Sequence, residues 1–276
     1  MATSTAPPAA QLPTRPPVQQ GAVREDRTYD ESVKTTSGLS VSVIIPTYNE
    51  SENVERVIDR CRTALAGHPF EIVIVDDDSP DGTWRVVSTV YAGDSRIRVI
   101  RRTEERGLAT AVSHGIRAAT YDCCVILDAD LQHPPEKIPA LLAALESGAD
   151  IAIASRYTAG GGIENWSPYR RFVSRGALVI AKLLIPQVRS VTDPMSGFFA
   201  FRRELVSGVT LAPIGYKILL ELLVRCEYTL VVDVPYVFHQ REHGESKLSL
   251  REYLDFLEHA FQLARWARRY PRPHLT

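Results

Sequence analysis

From residue 41 to residue 154 the chain repeats one unit: a short aliphatic run, then a longer stretch with helical spacing. The runs 41–45, 71–75, 97–100, 123–127 and 150–154 are rich in Val and Ile and read as buried strands. Between them, 52–65, 81–91, 107–119 and 136–145 have helical spacing, the first with Asn49 or Ser51 as N-cap. A helix between two strands returns the chain to the end from which it started, so such strands pair in parallel, with helices on both faces. The expectation is an α/β fold, a Rossmann-like, mostly parallel sheet flanked by helices. After residue 154 the pattern loosens. A glycine triplet at 160–162 predicts a mobile loop, 169–184 and 216–226 helices, 196–201 and 230–234 strands, 239–246 a polar loop, and 250–269 a closing helix.

Composition narrows the function. A net charge of −1 over 276 residues gives no basis for binding nucleic acid. Cys61, Cys123, Cys124 and Cys226 lack metal-ligand spacing and read as reduced thiols of a cytoplasmic protein. The apolar run 176–188 is broken by Lys182 and Pro186 and is too short to span a membrane. Residues 1–38 hold Pro, Ala, Thr, Gln and charge but almost no large apolar side chain, the composition of a disordered tail.

The chemistry concentrates at strand ends. In Val125-Ile-Leu-Asp-Ala-Asp-Leu-Gln-His-Pro-Pro135 three apolar residues lead into acids. Residues i, i+2 and i+4 of an extended chain face one side, so Asp128, Asp130 and Gln132 present oxygen atoms together. Two carboxylates and an amide suit Mg²⁺ or Mn²⁺. The same Asp-x-Asp also suits an acidic turn that caps the following helix. Asp76-Asp-Asp78 closes the second strand and also has two readings, ribose binding or helix capping. Neither G-x-G-x-x-G after the first strand nor a P-loop is present, which disfavours dinucleotide and P-loop binding. Arg156, Arg170, Arg171, Arg241 and Lys247 stand at later connections, where their fork or point charge suits phosphate.

Six motifs in order, Pro46-Thr-Tyr-Asn-Glu50, Val75-Asp-Asp-Asp-Ser-Pro-Asp-Gly82, Asp128-Ala-Asp-Leu-Gln-His133, Ser155-Arg-Tyr157, Asp193-Pro-Met-Ser-Gly197 and Gly244-Glu-Ser-Lys247, resemble family 2 glycosyltransferases of GT-A fold. Within that family the likeness is to the dolichol-phosphate (polyprenol-phosphate) mannose synthases, over roughly residues 40–270. The resemblance implies a GT-A domain at 39–248 whose C-terminal half binds the acceptor, followed by an amphipathic segment at 249–276. It implies that Pro46, Tyr48, Glu50, Val75 and Asp77 hold the nucleotide base and ribose, and that Asp128, Ala129, Asp130 and Gln132 hold metal and diphosphate. Lys217, Arg241 and Lys247 would lie at the donor, and Arg156, Arg170 and Ser174 around the lipid phosphate. Asp130, Arg241 and Arg156 are the residues it puts at the reaction.

The implied partners are GDP-mannose, dolichol or polyprenyl phosphate and a membrane surface. Several family members continue past the last helix into membrane spans, whereas this chain stops at Thr276. The expected setting is therefore the cytoplasmic side of a membrane, reached peripherally or through a separate membrane-anchoring subunit, or the cytoplasm if there is no anchor. A UDP-sugar donor (glucose or N-acetylglucosamine) and a catalytically silent sugar-nucleotide-binding subunit are the alternatives. Leu250, Leu254, Leu257, Phe261 and Ala264 form one helical stripe, widened by Phe256, Leu263 and Trp266 and followed by Arg265, Arg268, Arg269 and Arg272. It reads as core packing or as an interfacial helix.

Overall fold

The first strand, β1 (Val41–Thr47), is central, with apolar side chains on both faces. Val41, Val43 and Ile45 enter one core cluster and Ile44 the other, which is why the run lacks an apolar/polar alternation. The computed structural model describes residues 38–239 and 250–270, with side chains of the last helix from residue 254. The expected tail, apart from Gly38, lies outside the described residues, as do Arg241 and Lys247.

The chain continues through α1 (Val54–Ala64), β2 (Phe70–Asp76), α2 (Thr83–Val90), β3 (Ile97–Arg101), α3 (Leu108–Ala118), β4 (Cys123–Ile126), α4 (Ile138–Glu146), β5 (Ile151–Ser155) and β6 (Gly162–Ile163). It then forms α5 (Pro168–Leu184), β7 (Phe199–Arg202), α6 (Ile218–Arg225), β8 (Val231–Pro235), β9 (Val237–Phe238) and α7 (Leu250–Arg269). Among the described residues seven strands make the main sheet in the order β3-β2-β1-β4-β7-β5-β8, and of these only β7 runs antiparallel to its neighbours. The chain winds outward from β1 to β3, then crosses back to place β4 on the other side of β1. That reversal opens a crevice beyond the carboxyl ends of β1 and β4, the position where open α/β sheets bind ligands.

Several local expectations change. β1 does not stop at Pro46 but runs to Thr47. Odd-numbered residues of β1 bond towards β2 (Asp77 N donates to Thr47 O) and even-numbered ones towards β4 (Leu127 N donates to Ile44 O). The β4 ladder ends at Ile44, so Pro46 withholds an N–H only where no partner strand remains. Neither Asn49 nor Ser51 caps α1. Its N-cap is Asn53, without a side-chain cap bond, and Asn49 sits at φ 55°. The glycine triplet is not wholly loop, since Gly162–Ile163 pairs in parallel with Val237–Phe238. The α3 helix lies close to the sheet because Gly115 has no side chain. A Cβ there would stand 2.4 Å from Ile44 Cγ2 and 3.1 Å from Val75 Cγ2.

The α7 stripe is rotated by about one residue from the sequence reading. Phe256, Ala260, Leu263, Ala264 and Ala267 are buried against the protein, while Leu254 and Phe261 of the expected stripe are 62% and 56% exposed. The alanines, small enough for close approach, define the packed face. His259 Nε2 donates to Glu221 Oε2 (2.7 Å), pinning α7 to α6 through a buried pair. No described helix is long and apolar enough to cross a membrane. The four cysteines are buried and free, and burial pushes the Cys123 thiol up to about 11, away from thiolate chemistry.

Candidate active site

The crevice is a cavity of about 750 Å³. Its walls include Pro46, Tyr48, Glu50, Asp77, Asp128, Ala129, Asp130, Gln132, Arg156, Arg170, Ser174 and Lys217. Thus the described residues that the motifs single out converge on one cavity, with one exception. Val75 is fully buried, in the cluster beneath α3, and does not line it. Alternation along β2 turns its side chain into the core, so the nucleotide-holding assignment does not carry over to that side chain.

The four non-glycine residues described with positive φ are Asn49, Asp78, Leu131 and Asn165, at φ 53–60°. Asn165 lines the cavity, and each of the other three adjoins a residue that does. Backbone of this kind persists where surrounding structure over-determines it, commonly at ligand sites. Leu131 is buried, so its side chain anchors the turn that sets Asp130 and Gln132 in place.

The two acidic strand ends have different duties. Asp76 is wholly buried and accepts from Thr47 Oγ1 (2.8 Å), Ser79 N (2.8 Å) and Ser79 Oγ (2.6 Å), so it builds the turn rather than the cavity. Asp77 reaches the wall, with Oδ1 accepting from Arg102 Nε and Oδ2 from Gly107 N, both at 2.7 Å. It therefore ties the start of α3 to the end of β2. Asp130 Oδ1 accepts from Gln132 N (3.1 Å), and Gln132 donates its amide N–H to the His239 carbonyl (3.1 Å). Asp128 Oδ2 lies 3.4 Å from His133 Nε2, and His133 Nδ1 lies 3.0 Å from Tyr236 Oη. Burial pushes the Tyr236 hydroxyl well above its usual range, so it stays protonated and steadies that chain. Gly197 closes in from the side. A Cβ there would stand 3.1 Å from Asp128 Oδ2 and 3.2 Å from His133 Nε2.

This donor set fits a hard divalent cation. Asp128 and Asp130 supply carboxylates, Gln132 an amide oxygen, and the missing Cβ of Gly197 leaves room beside Asp128. No group of three or more His, Cys, Asp or Glu able to hold a metal occurs among the described residues. Such a sparse protein shell is what Mg²⁺ and similar ions use when ligand phosphates and water complete the coordination.

The other end of the cavity is cationic. Arg156 donates from Nε and Nη2 to the Asp193 carboxylate (2.7 and 2.8 Å), and both side chains are buried. Burial opposes the charge, but Asp193 outweighs it and holds the guanidinium firmly protonated. Arg156 thus uses its fork on Asp193, which in turn is engaged structurally rather than as a base. Ser174 Oγ is 3.1 Å from Tyr157 Oη. Lys217 Nζ donates to Met195 O (3.1 Å). Arg170 stacks over Trp166 at 4.3 Å. Wall residues without a role in the sequence reading include His133, although its motif was recognised, Trp166, Phe238, and Arg106, which lies 5.4 Å from the Tyr48 ring. Ser167-Pro168 was the available signal near Trp166, an N-cap followed by an N1 proline.

Residues 42–209 match the family model described as "Glycosyl transferase family 2". The chain belongs to glycosyl transferase family 2. This family 2 glycosyltransferase is 50% identical to the dolichol-phosphate mannosyltransferase of Pyrococcus furiosus over 228 residues, covering 83% of this chain and 64% of that protein. It is 37% identical to the dolichol-phosphate mannosyltransferase of Mycosarcoma maydis, covering 84% and 81%. To the polyprenol monophosphomannose synthase of Mycolicibacterium smegmatis it is 36% identical, covering 90% and 92%. Among solved structures it is similar to glucosyl-3-phosphoglycerate synthase from Mycobacterium tuberculosis, crystallised with Mn²⁺, uridine diphosphate and glucosyl-3-phosphoglycerate. The TM-score is 0.62 at 21% identity, covering 86% of this chain and 82% of that one, which establishes the GT-A fold.

Proposed function

We propose that this family 2 glycosyltransferase moves mannose from GDP-mannose to the phosphate of dolichol or another polyprenol, with inversion at the anomeric carbon. The observation that supports it best is a single cavity, acidic at Asp77, Asp128 and Asp130 and cationic at Arg156 and Arg170, in a chain whose relatives bear polyprenyl-phosphate mannosyltransferase names. Tyr48, Glu50 and Asp77 line the part assigned to the nucleotide. Asp128, Asp130 and Gln132 would hold Mg²⁺ or Mn²⁺, which when bound offsets charge on the departing diphosphate. A phosphate monoester has its second pKa near 6 and is largely dianionic at neutral pH, so it attacks without a general base. The protein's task there is orientation by cationic groups. Radiolabelled GDP- and UDP-sugars offered with polyprenyl phosphate test the reading. Transfer from GDP-mannose alone is expected, and transfer from a UDP-sugar instead would overturn the donor assignment.

Donor and acceptor ends separate by mutation. Arg170→Ala is expected to raise KM for polyprenyl phosphate by roughly 10- to 150-fold, the loss of about 1.5–3 kcal/mol of charge-assisted contact. GDP-mannose affinity by calorimetry should hardly change. An equal loss of nucleotide affinity would place Arg170 at the wrong end of the reaction.

The acceptor's lipid requires that the cationic end approach a bilayer. On α5 Tyr169, Phe172 and Leu183 are exposed, as are Leu254 and Phe261 of α7, with Arg171, Arg175, Arg265 and Arg268 on the same two helices. A peripheral, salt-sensitive contact with anionic lipid follows. Removal of residues 261–276 would also remove Leu263, Ala264 and Ala267 from the core, so point substitutions are the cleaner probe. Phe172→Ser, Leu183→Ser and Phe261→Ser together should strip most binding to anionic liposomes in a flotation assay. Undiminished flotation of that variant would rule out these faces.

A further inference from the structure

Trp166 lies on the cavity wall between the two arginines assigned to the acceptor phosphate. Its ring centroid is 4.3 Å from the Arg170 guanidinium carbon and 5.7 Å from that of Arg156. Both fall within cation–π range, and indole is the strongest of the aromatic partners. Phe238 meets the ring edge-on at 5.5 Å and holds its plane. The next residue, Ser167, caps α5 by accepting from Arg170 N (3.2 Å). Ser167 thus ties down the Arg170 backbone, and the Trp166 ring lies against its guanidinium.

The indole carries a cost. Its Nε1–H is buried and makes no hydrogen bond among the described residues. A buried donor without a partner lowers stability, and phenylalanine would fill an apolar site without one. What the indole offers in exchange is its π-face toward the two guanidinium groups.

We propose that Trp166 is a positioning residue for acceptor binding: its indole face holds Arg170, backed by Arg156, where the phosphate of the acceptor is received. The inference rests on the reading of Arg170 and Arg156 as the acceptor-phosphate end. It separates two properties that a structural residue would keep together.

The full chain is compared with Trp166→Phe, Trp166→Leu, Arg170→Ala and the Trp166→Leu/Arg170→Ala double variant. Measured are KM for polyprenyl phosphate, kcat, GDP-mannose affinity by calorimetry, and thermal midpoint. Trp166→Leu should raise acceptor KM by about 5- to 30-fold with donor affinity unchanged. Trp166→Phe should show a smaller rise while its thermal midpoint holds or increases, because the unpartnered donor is gone. The double variant should be no worse than Arg170→Ala alone, since the tryptophan acts through that arginine. Acceptor KM unchanged in Trp166→Leu, or fully additive effects in the double variant, would overturn the inference while leaving the site reading intact. A lower midpoint with unchanged KM in Trp166→Phe would make the residue structural and overturn it too. Unchanged acceptor KM in Arg170→Ala would overturn the site reading, and this inference with it.

Discussion

Asp130→Ala is expected to lower turnover by on the order of 10³-fold or more while leaving the fold intact. Asp130 is buried at the turn after β4, where its Oδ1 accepts locally from Gln132 N. It adds little to the apolar cores on either face of the sheet, so its removal should leave the thermal midpoint nearly unchanged. What the variant loses is one of the two carboxylates assigned to the cation, Asp128 and Asp130, and with it charge that would hold a divalent ion. Chelation of the wild type should reproduce the loss, and Mn²⁺ or Mg²⁺ should restore activity to the wild type but not to the variant. Full turnover in EDTA would sink the metal assignment. A variant that loses activity together with tens of degrees of midpoint would show that Asp130 is structural.

Glu221→Ala should produce the largest change in stability, about 3–5 kcal/mol, or on the order of 10 °C in midpoint. Glu221 is fully buried and accepts from His259 Nε2 (2.7 Å) and Ala212 N (2.8 Å), with Arg225 paired to the same carboxylate. Burial alone would push its carboxyl up, but the hydrogen bonds from His259 and Ala212 and the charge of Arg225 outweigh that and hold it below the usual range. A carboxyl depressed in the folded state is protonated first in the unfolded chain as pH falls. Its stabilisation is therefore complete above the ordinary carboxylate range and fades as pH drops through the lower, folded value. Wild type and variant midpoints should converge in acid and differ most near neutrality. The α7 helix that this pair secures carries Phe256 to the cavity wall, so acceptor use should weaken along with stability. Equal stability of the two proteins at pH 7 would show that apolar packing alone holds α7.

The strands and the acidic motif were legible because each rests on local order. Buried parallel strands need continuous apolar runs, and the run at 123–127 leads to the acids, but β4 ends at Ile126, so a turn with Leu131 at φ 60°, not an extended chain, brings Asp128, Asp130 and Gln132 to the cavity. Resemblance carried Arg156, Arg170 and Ser174 to the cavity wall, but it did not reveal that Arg156 is engaged by Asp193, 37 residues later. The Val75 side chain does not line the cavity because a motif names consecutive residues, whereas a strand sends alternate side chains to opposite faces. The packed face of α7 differs from the stripe of large apolar residues because Ala260 and Ala267, which that stripe passes over, pack against the core beside Ala264. The contacts of His133 and Trp166 were not legible because their partners arrive from far along the chain. Tyr236 lies 103 residues beyond His133, and Phe238 reaches Trp166 only through the β6–β9 ribbon.

The most direct test of the account is product analysis after incubating the intact chain with GDP-mannose, polyprenyl phosphate and Mg²⁺ or Mn²⁺. The anomeric configuration would be read by nuclear magnetic resonance and the mass by mass spectrometry. The account predicts a polyprenyl-phosphate mannose with a β linkage, inverted from the α-linked donor, and no product in EDTA. An α-linked product, transfer to a sugar hydroxyl rather than to the lipid phosphate, or lipid labelled only from a UDP-sugar would contradict it.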